Sequence, residues 1–453
     1  MSLYVKKTSV CPVMAVNPVA EDDDVIFIDY DGVIRHSFTA AEFAALSALP
    51  PNPKHEGLTA QGWNWTLADA KDYVSKYGMQ VIGQNYVTTS GETELYINLT
   101  SPKQLTISLN YRQTVASGVE VDFGDGSQHV VETSSNQQSV SHTYSALGKY
   151  VIKMKCLSGS YSLLGANASN LFGTDPIKQQ ILTDVRLGTN AYISQSSFSG
   201  SYFLSTITVT ATTNHSLFSS FEQCRSLKAF VVPTGETLTN STTFNNCYSM
   251  EYVSLPKSAT FFSWRCFSTN VCLKKICIPE NVTAFSGESD GRVFYGCYTL
   301  AEASIGEGVT VLYNQTFYQC QLLKRITIPE SIATINTYAL ASLYSILEMR
   351  FKATSPASVT NSDAFANLNA ACLIYVPFSA LAGYLGGTNY PDPATYTYIG
   401  YATYNSGAAL PAQDGTEAYN VTWYANKADA VAQTNAITTG TGNEIYCRYT
   451  AVT

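Results

Sequence analysis

One stretch of this chain has residue types and spacing that could do chemistry: the apolar run Val25-Ile26-Phe27-Ile28 leads into Asp29-Tyr30-Asp31-Gly32-Val33. Two carboxylates at the end of a strand could act in phosphoryl transfer, Asp29 as nucleophile and Asp31 as acid/base. Such chemistry also needs Mg²⁺, a lysine and a second acidic pair carried by a large doubly wound sheet. The next unit begins near Glu94, too soon to leave room for that sheet. The simpler reading is a tight Asp-Gly hairpin turn, and it is the one adopted. A second group is Asp122, Asp125 and His142, in Val121-Asp122-Phe123-Gly124-Asp125-Gly126-Ser127 and Ser141-His142-Thr143-Tyr144. Calcium could sit there, but the aspartates are expected to bond backbone N–H groups of the turn, and His142 to be structural. The third group is Cys224, Cys247, Cys297 and Cys320, which recur at one position of a repeat. Free cysteine there reads as packing, and the odd total of 11 cysteines reads as reduced thiols. No catalytic residue, metal or cofactor is therefore expected, and the chain is not read as an enzyme.

The elements that hold these groups follow from punctuation and periodicity. Val25–Ile28 and Val33–Phe38 read as a hairpin. Thr39 caps a helix through Leu49, with Glu42 completing a capping box and Pro50-Pro51 ending it. Thr66 caps a second helix to Tyr77, stopped by Gly78, with Trp63 and Trp65 filling the core. This is a small α/β unit over residues 21–92, after an N-terminal arm at 1–20. Its Asp-x-Asp-Gly turn resembles the first motif of haloacid-dehalogenase-type phosphatases, a resemblance that would make Asp29 the nucleophile and is kept as a remote alternative.

Residues 198–377 carry the strongest pattern: aromatic-x-x-small-x-x-apolar-x-x-apolar-x-apolar, eight times. The copies are anchored at Leu204, Leu227, Met250, Leu273, Leu300, Leu323, Ile346 and Ala371, at intervals of 23, 23, 23, 27, 23, 23 and 25 residues. That period means a solenoid whose turns must stack to bury their apolar sides. The two apolar residues after each anchor alternate as in a strand, and Pro233, Pro256, Pro279, Pro329 and Pro377 end it, with Gly306 doing so in the fifth copy. Six residues before the anchors stand Phe198, Phe221, Phe244, Phe267, Phe294, Phe317, Leu340 and Phe365, a second buried spine. The phrase resembles the BspA-like leucine-rich repeat, including the Pro279-Glu280-Asn281-Val282-Thr283 connection; it departs at Leu343 and Leu368 and in an insertion over 286–291, placed in a loop. The resemblance implies a binding scaffold.

Between the two regions, seven short strands are expected from Glu94 to Leu157. The Val121–Ser127 turn, with His142-Thr143-Tyr144 and Gly148–Met154, resembles the PKD domain, which implies an immunoglobulin-like sandwich over 93–158. The predicted organisation is multidomain and mainly β: the small α/β domain, the PKD-like sandwich, a leucine-rich-repeat solenoid with cap over 159–400, and a small C-terminal β domain over 401–453. That last unit would be a receptor-contacting tip or an oligomerisation patch.

Along each repeat strand the positions two and four after the anchor point away from the core. The candidate partner-binding residues on that face are Tyr252, Lys275, Glu302, Arg325, Glu348, Arg350 and Tyr375, an extent suited to a host surface protein or polysaccharide. The equally weighted alternative is a solvated sheet whose charges pair across strands. A net charge of −8 and the absence of a basic run argue against nucleic acid. No stretch is long and apolar enough to span a membrane. Met1–Pro18 lacks a continuous apolar segment, so it is not read as a signal peptide. The small unit, through Leu58–Trp65, looks similar to the N-terminal part of gut phage and prophage proteins. The expectation is a non-enzymatic tail-fibre, tail-tip or head-decoration protein on a virion surface, bound to other virion proteins through its N-terminal region, with a homo-oligomer left open. The alternative is a bacterial cell-surface adhesin.

Overall fold

In the computed structural model the chain is described over residues 24–113, 118–133, 137–164, 171–173, 175–211, 215–234, 242–285, 291–412 and 419–451. The N-terminal arm and residues 286–290 of the 286–291 insertion lie outside these residues.

The first unit is built around one fully apolar strand. β1 (Val25–Ile28) is buried at all four positions and pairs antiparallel with β2 (Ile34–Phe38). With β3 (Leu58–Trp63) and β4 (Gln80–Thr88) the sheet order is β2-β1-β4-β3, β1 and β4 being parallel. The Asp-Gly turn forms as expected: the Gly32 N–H donates to the Asp29 carbonyl at 3.0 Å, with Gly32 at φ 82°. Helix α1 (Ala40–Ala45) has the Thr39/Glu42 capping box but ends at Leu46, short of the expected Leu49. Helix α2 (Leu67–Tyr77) starts at the Thr66 cap and stops at Gly78 in the left-handed region.

Among the described residues between 93 and 156, against the seven strands expected, the sandwich shows six: β5 (Thr93–Leu99), β6 (Thr106–Gln113), β7 (Val119–Asp122), β8 (Val130–Glu132), β9 (Gln137–Thr143) and β10 (Gly148–Cys156). Its two sheets are completed from further along the chain. β11 (Tyr161–Leu163) and β13 (Ala191–Ile193) extend the β6–β9 sheet, while β12 (Leu182–Arg186) pairs with β5 and then with β14 (Thr206–Thr208). Hydrogen bonding therefore runs unbroken past residue 158 into the first turns of the solenoid. One apolar core likewise extends from Leu95 to Cys447.

The solenoid stacks the parallel strands Ala229–Val231, Tyr252–Ser254, Lys275–Ile278, Glu302–Ile305, Arg325–Ile328, Glu348–Phe351 and Leu373–Pro377. The phenylalanine spine is present: from Phe198 to Phe317 neighbouring rings stack with centroids 5.1–5.5 Å apart. The cysteine ladder is packing: the thiols of Cys224, Cys247, Cys297 and Cys320 are buried and donate to the carbonyls of Phe198, Phe221, Phe267 and Phe294 at 3.0–3.3 Å. Burial pushes the Cys297 thiol up to about 12, so it stays protonated.

The turn side obeys a second rule. Four residues before each anchor the backbone is left-handed, at Gly200, Gln223, Asn246, Thr269, Gly296, Gln319, Ser342 and Asn367, with φ between 57° and 73°. Eight before the anchor, Ser196, Ser219, Thr242, Arg265, Arg292, Gln315 and Tyr338 are left-handed too. Alternating handedness about the spine residue aims every second N–H along the solenoid axis. The N–H groups of Gln223, Asn246 and Thr269 donate to Asn245, Ser268 and Tyr295 of the following turn, at 2.7–3.0 Å. The turns thus carry a ladder of their own, opposite the strands.

The C-terminal residues continue the repeat sheet instead of standing apart. Thr397–Thr403 pairs parallel with Leu373–Pro377, then antiparallel with Glu444–Ala451, which pairs with Tyr419–Tyr424. A short helix, Lys427–Ala432, follows Tyr419–Tyr424 and lies against the sheet.

Candidate functional site

The candidate binding face points away from the solenoid core as predicted, but most of it is not open to solvent. The small unit lies on its first half. β4 crosses the repeat strands so closely that a Cβ added at Gly83 would stand 2.6 Å from Val231 Cγ2 and 2.8 Å from Ser254 Cβ. Ala229, Val231, Tyr252 and Cys277 of the repeats share one apolar cluster with Ile26, Phe27, Trp65, Tyr73 and Val81. Hydrogen bonds close the contact. The Ser254 hydroxyl donates to the Val81 carbonyl at 2.8 Å and accepts from Asn64 Nδ2 at 2.9 Å. Trp65 Nε1 donates to Leu255 at 2.8 Å, and the Tyr73 hydroxyl to Ile278 at 2.8 Å.

Each predicted residue can now be placed. Tyr252 is 5% and Lys275 4% exposed, both beneath the small unit, which corrects their expected exposure. Lys275 reaches Glu302 on the next strand at 2.7 Å, so this pair follows the cross-strand alternative. Tyr375 is 2% exposed, packed against Ile399, Tyr424, Ala430 and Tyr446 of the C-terminal unit. Glu348 pairs with Lys427 of the C-terminal helix at 2.5 Å, and the Lys427 ammonium lies 4.7 Å from the Tyr375 ring centroid. Arg350 pairs with Glu444 and stacks 3.9 Å over Tyr401. Arg325 is exposed, in a window between the two covers. An open hollow of about 460 Å³ at the C-terminal unit is lined by Lys352, Phe378, Tyr401, Tyr404 and Glu444, among others.

The aspartate turn is an electrostatic clasp. Asp29 is fully buried; its Oδ2 accepts from Arg35 Nε at 2.8 Å and lies 2.7 Å from His55 Nε2, while Oδ1 accepts the Tyr30 N–H at 2.9 Å. A nucleophile would have to shed these partners. β1 has a single parallel neighbour, β4, so the doubly wound sheet that the phosphatase resemblance requires is not formed. In the sandwich turn, Asp122 accepts the Gly124 N–H at 2.8 Å and Asp125 the Ser127 N–H at 3.0 Å, while His142 Nε2 meets Asp125 Oδ2 at 2.8 Å. Hydrogen bonds from Ser127 and His142 outweigh burial and hold the Asp125 carboxyl at about 2. His142 stacks on Phe123 with ring centroids 4.1 Å apart. Among the described residues no three His, Cys, Asp or Glu side chains are grouped to hold a metal, and no helix is long and apolar enough to cross a membrane.

Residues 177–290 and 290–379 match the BspA type leucine rich repeat region, in six copies. The repeats of this region are BspA-type leucine-rich repeats. Solved structures similar to the chain include a leucine-rich repeat protein from Bacteroides ovatus, 20% identical with a TM-score of 0.31, the match covering 46% of this chain and 66% of that one. A leucine rich cell surface protein from Faecalibacterium prausnitzii matches at 16% identity and a TM-score of 0.26, over 53% of this chain and 90% of that one. The T. pallidum leucine rich repeat protein matches at 16% and 0.29, over 49% and 87%. No curated protein matches the chain.

The covers were missed, yet they had a signal. The predicted outward positions of the early copies include Ala229, Val231, Tyr252 and Cys277, which are too apolar for a solvated face.

Proposed function

We propose that this chain is a non-enzymatic recognition protein displayed on a surface, its solenoid a rigid body that carries the binding side to a host protein or glycan. The observation that carries this reading is the BspA-type repeat region, whose first strand Thr206–Thr208 extends a sandwich sheet and whose repeat sheet runs on into the C-terminal unit. One continuous core across these units suits a stiff display element more than a hinged enzyme. The cell-surface adhesin reading is tested by antibody labelling of intact cells, with signal expected outside; labelling only after permeabilisation would remove it.

A narrower reading puts the same body on a phage particle. It rests on the modular β architecture and on the resemblance of Leu58–Trp65 to the N-terminal part of gut phage and prophage proteins. In this reading the N-terminal region binds other virion proteins. Mass spectrometry of purified particles is the test, and particles lacking the chain would refute it. The face open to a partner includes the Arg325 window, whereas Tyr252, Lys275 and Tyr375 serve internal packing.

A further inference from the structure

Most of the sheet face is covered, but among the described residues the edge where the chain enters each strand is open to solvent and unusually aromatic. Two residues before the anchors stand Tyr202, Arg225, Tyr248, Val271, Tyr298, Gln321 and Tyr344. The turns hold this position in a column: the N–H groups of Ser226, Ser249, Leu322 and Ser345 donate to the carbonyls of Tyr202, Arg225, Tyr298 and Gln321 at 3.1 Å. Tyrosine therefore occupies every second turn. Tyr248, Tyr298 and Tyr344 are 36%, 39% and 54% exposed, although large aromatic side chains are ordinarily well buried. The Arg225 guanidinium lies 4.2 Å from the Tyr202 ring centroid and 5.5 Å from that of Tyr248, filling the step between them.

We infer that this tyrosine column is a binding site for an extended β-1,4-linked glycan. Two strand spacings separate successive tyrosines, roughly 9–10 Å. Over about that length a β-1,4-linked chain turns through two sugars and presents the same ring face again. The axial C–H groups of a pyranose carry partial positive charge and seat on the negative face of an aromatic ring. Four platforms at this interval would meet alternate sugars along a stretch of roughly 29 Å. The charge fits a neutral polymer: the chain carries −8 overall, yet the column has no carboxylate and only one cation, Arg225. Gln321 stands between platforms, where it can donate to ring hydroxyls, while Arg225 already lies over the Tyr202 and Tyr248 rings, so a sugar takes their remaining faces or displaces the guanidinium. A folded protein partner would have no reason to select one aromatic every second turn.

This inference rests on the recognition role proposed above and names its partner. The test titrates the full chain by calorimetry with cellohexaose, xylohexaose and chitohexaose, with helical α-1,4-linked maltohexaose as control. At least one β-1,4 hexamer is expected to bind and maltohexaose is not. Tyr248→Ala and Tyr298→Ala should each weaken binding about tenfold, and Tyr298→Phe should keep it, since the platform and not the hydroxyl does the seating. Unchanged melting temperatures of these exposed variants would show that the fold persists. Binding of none of the three hexamers, equal binding of maltohexaose, or Ala variants that alter only self-association in sedimentation would overturn the inference. Surface labelling reads the recognition role independently, so the glycan can fail while that role stands.

Discussion

Each coil of the solenoid has two outward sides, and they are stabilised differently. On the strand side, short parallel strands give an even surface, and the chain folds its own ends back over it: the small unit on one half, the C-terminal unit on the other. On the turn side none of the described residues forms a cover, and order comes from the backbone, through left-handed residues that aim N–H groups at the next coil. Flat apolar surface attracts a second layer, whereas a ridged edge held by its own ladder can stay bare and present aromatic residues to solvent.

The comparison breaks most sharply at Gly83. A leucine there has no room against Val231 and Ser254, so Gly83→Leu is expected to destabilise the protein by about 3 kcal/mol in denaturant unfolding. Adding Val231→Ala should restore part of the loss. An unchanged midpoint for Gly83→Leu would mean that β4 is not seated on the repeats.

Ser254→Val probes the same contact through hydrogen bonding. It leaves the Val81 carbonyl and the Asn64 amide buried without this partner, a loss of about 2 kcal/mol. Ser254→Ala, which removes the same hydroxyl without adding bulk, should fall close to Ser254→Val; a much smaller loss would assign the effect to size.

The turn side predicts the opposite sign. Thr269 is β-branched and sits at φ 61°, a conformation such residues rarely adopt. Thr269→Gly is therefore expected to raise stability by about 1 kcal/mol, and the same change at Thr242 should act alike. A loss of stability in both would show that the threonine side chains, and not the backbone, hold the turns.

What was legible from sequence divides along the same line. The repeat is read from local spacing, so its strands, the phenylalanine spine and the packing role of the cysteines follow from residues 198–377 alone. The Thr39 and Thr66 caps are equally local. The covers depend on residues separated by some two hundred positions, such as Asn64 with Ser254 and Tyr73 with Ser304, which no periodicity links. The Asp29 clasp with His55 is distant in the same sense, and only the turn around it could be foreseen. The left-handed positions were hidden because glycine fills only two of the eight sites four residues before the anchors, so composition gives no marker.

The two covers differ in one further way, and acid should separate them by the smallest of these effects. The buried contact of the small unit is apolar with neutral hydrogen bonds, and its ion pairs Lys257–Asp69 and Lys76–Glu280 lie on the exposed rim away from Val81, whereas the C-terminal unit is joined at its buried contact by Arg350–Glu444 and Lys427–Glu348. Burial alone would raise the Glu444 carboxyl, but the hydrogen bonds from Arg350 and Tyr446 and the charges of Arg350 and Lys427 outweigh it, and it ends below its ordinary 4.5. A depressed folded value means that this stabilisation is complete above the unfolded value and disappears as pH falls through the folded one. Lowering pH from 5 to 3 should therefore loosen the C-terminal strands before β4, as read by amide exchange at Cys447 and at Val81. Because Glu444 is partly exposed, the contribution is at most about 1 kcal/mol, and salt should reduce it. Glu444→Gln should flatten the pH dependence at Cys447 and leave Val81 as it was. Equal loosening of both sites in wild type would mean that the two halves of the face are sealed by the same forces.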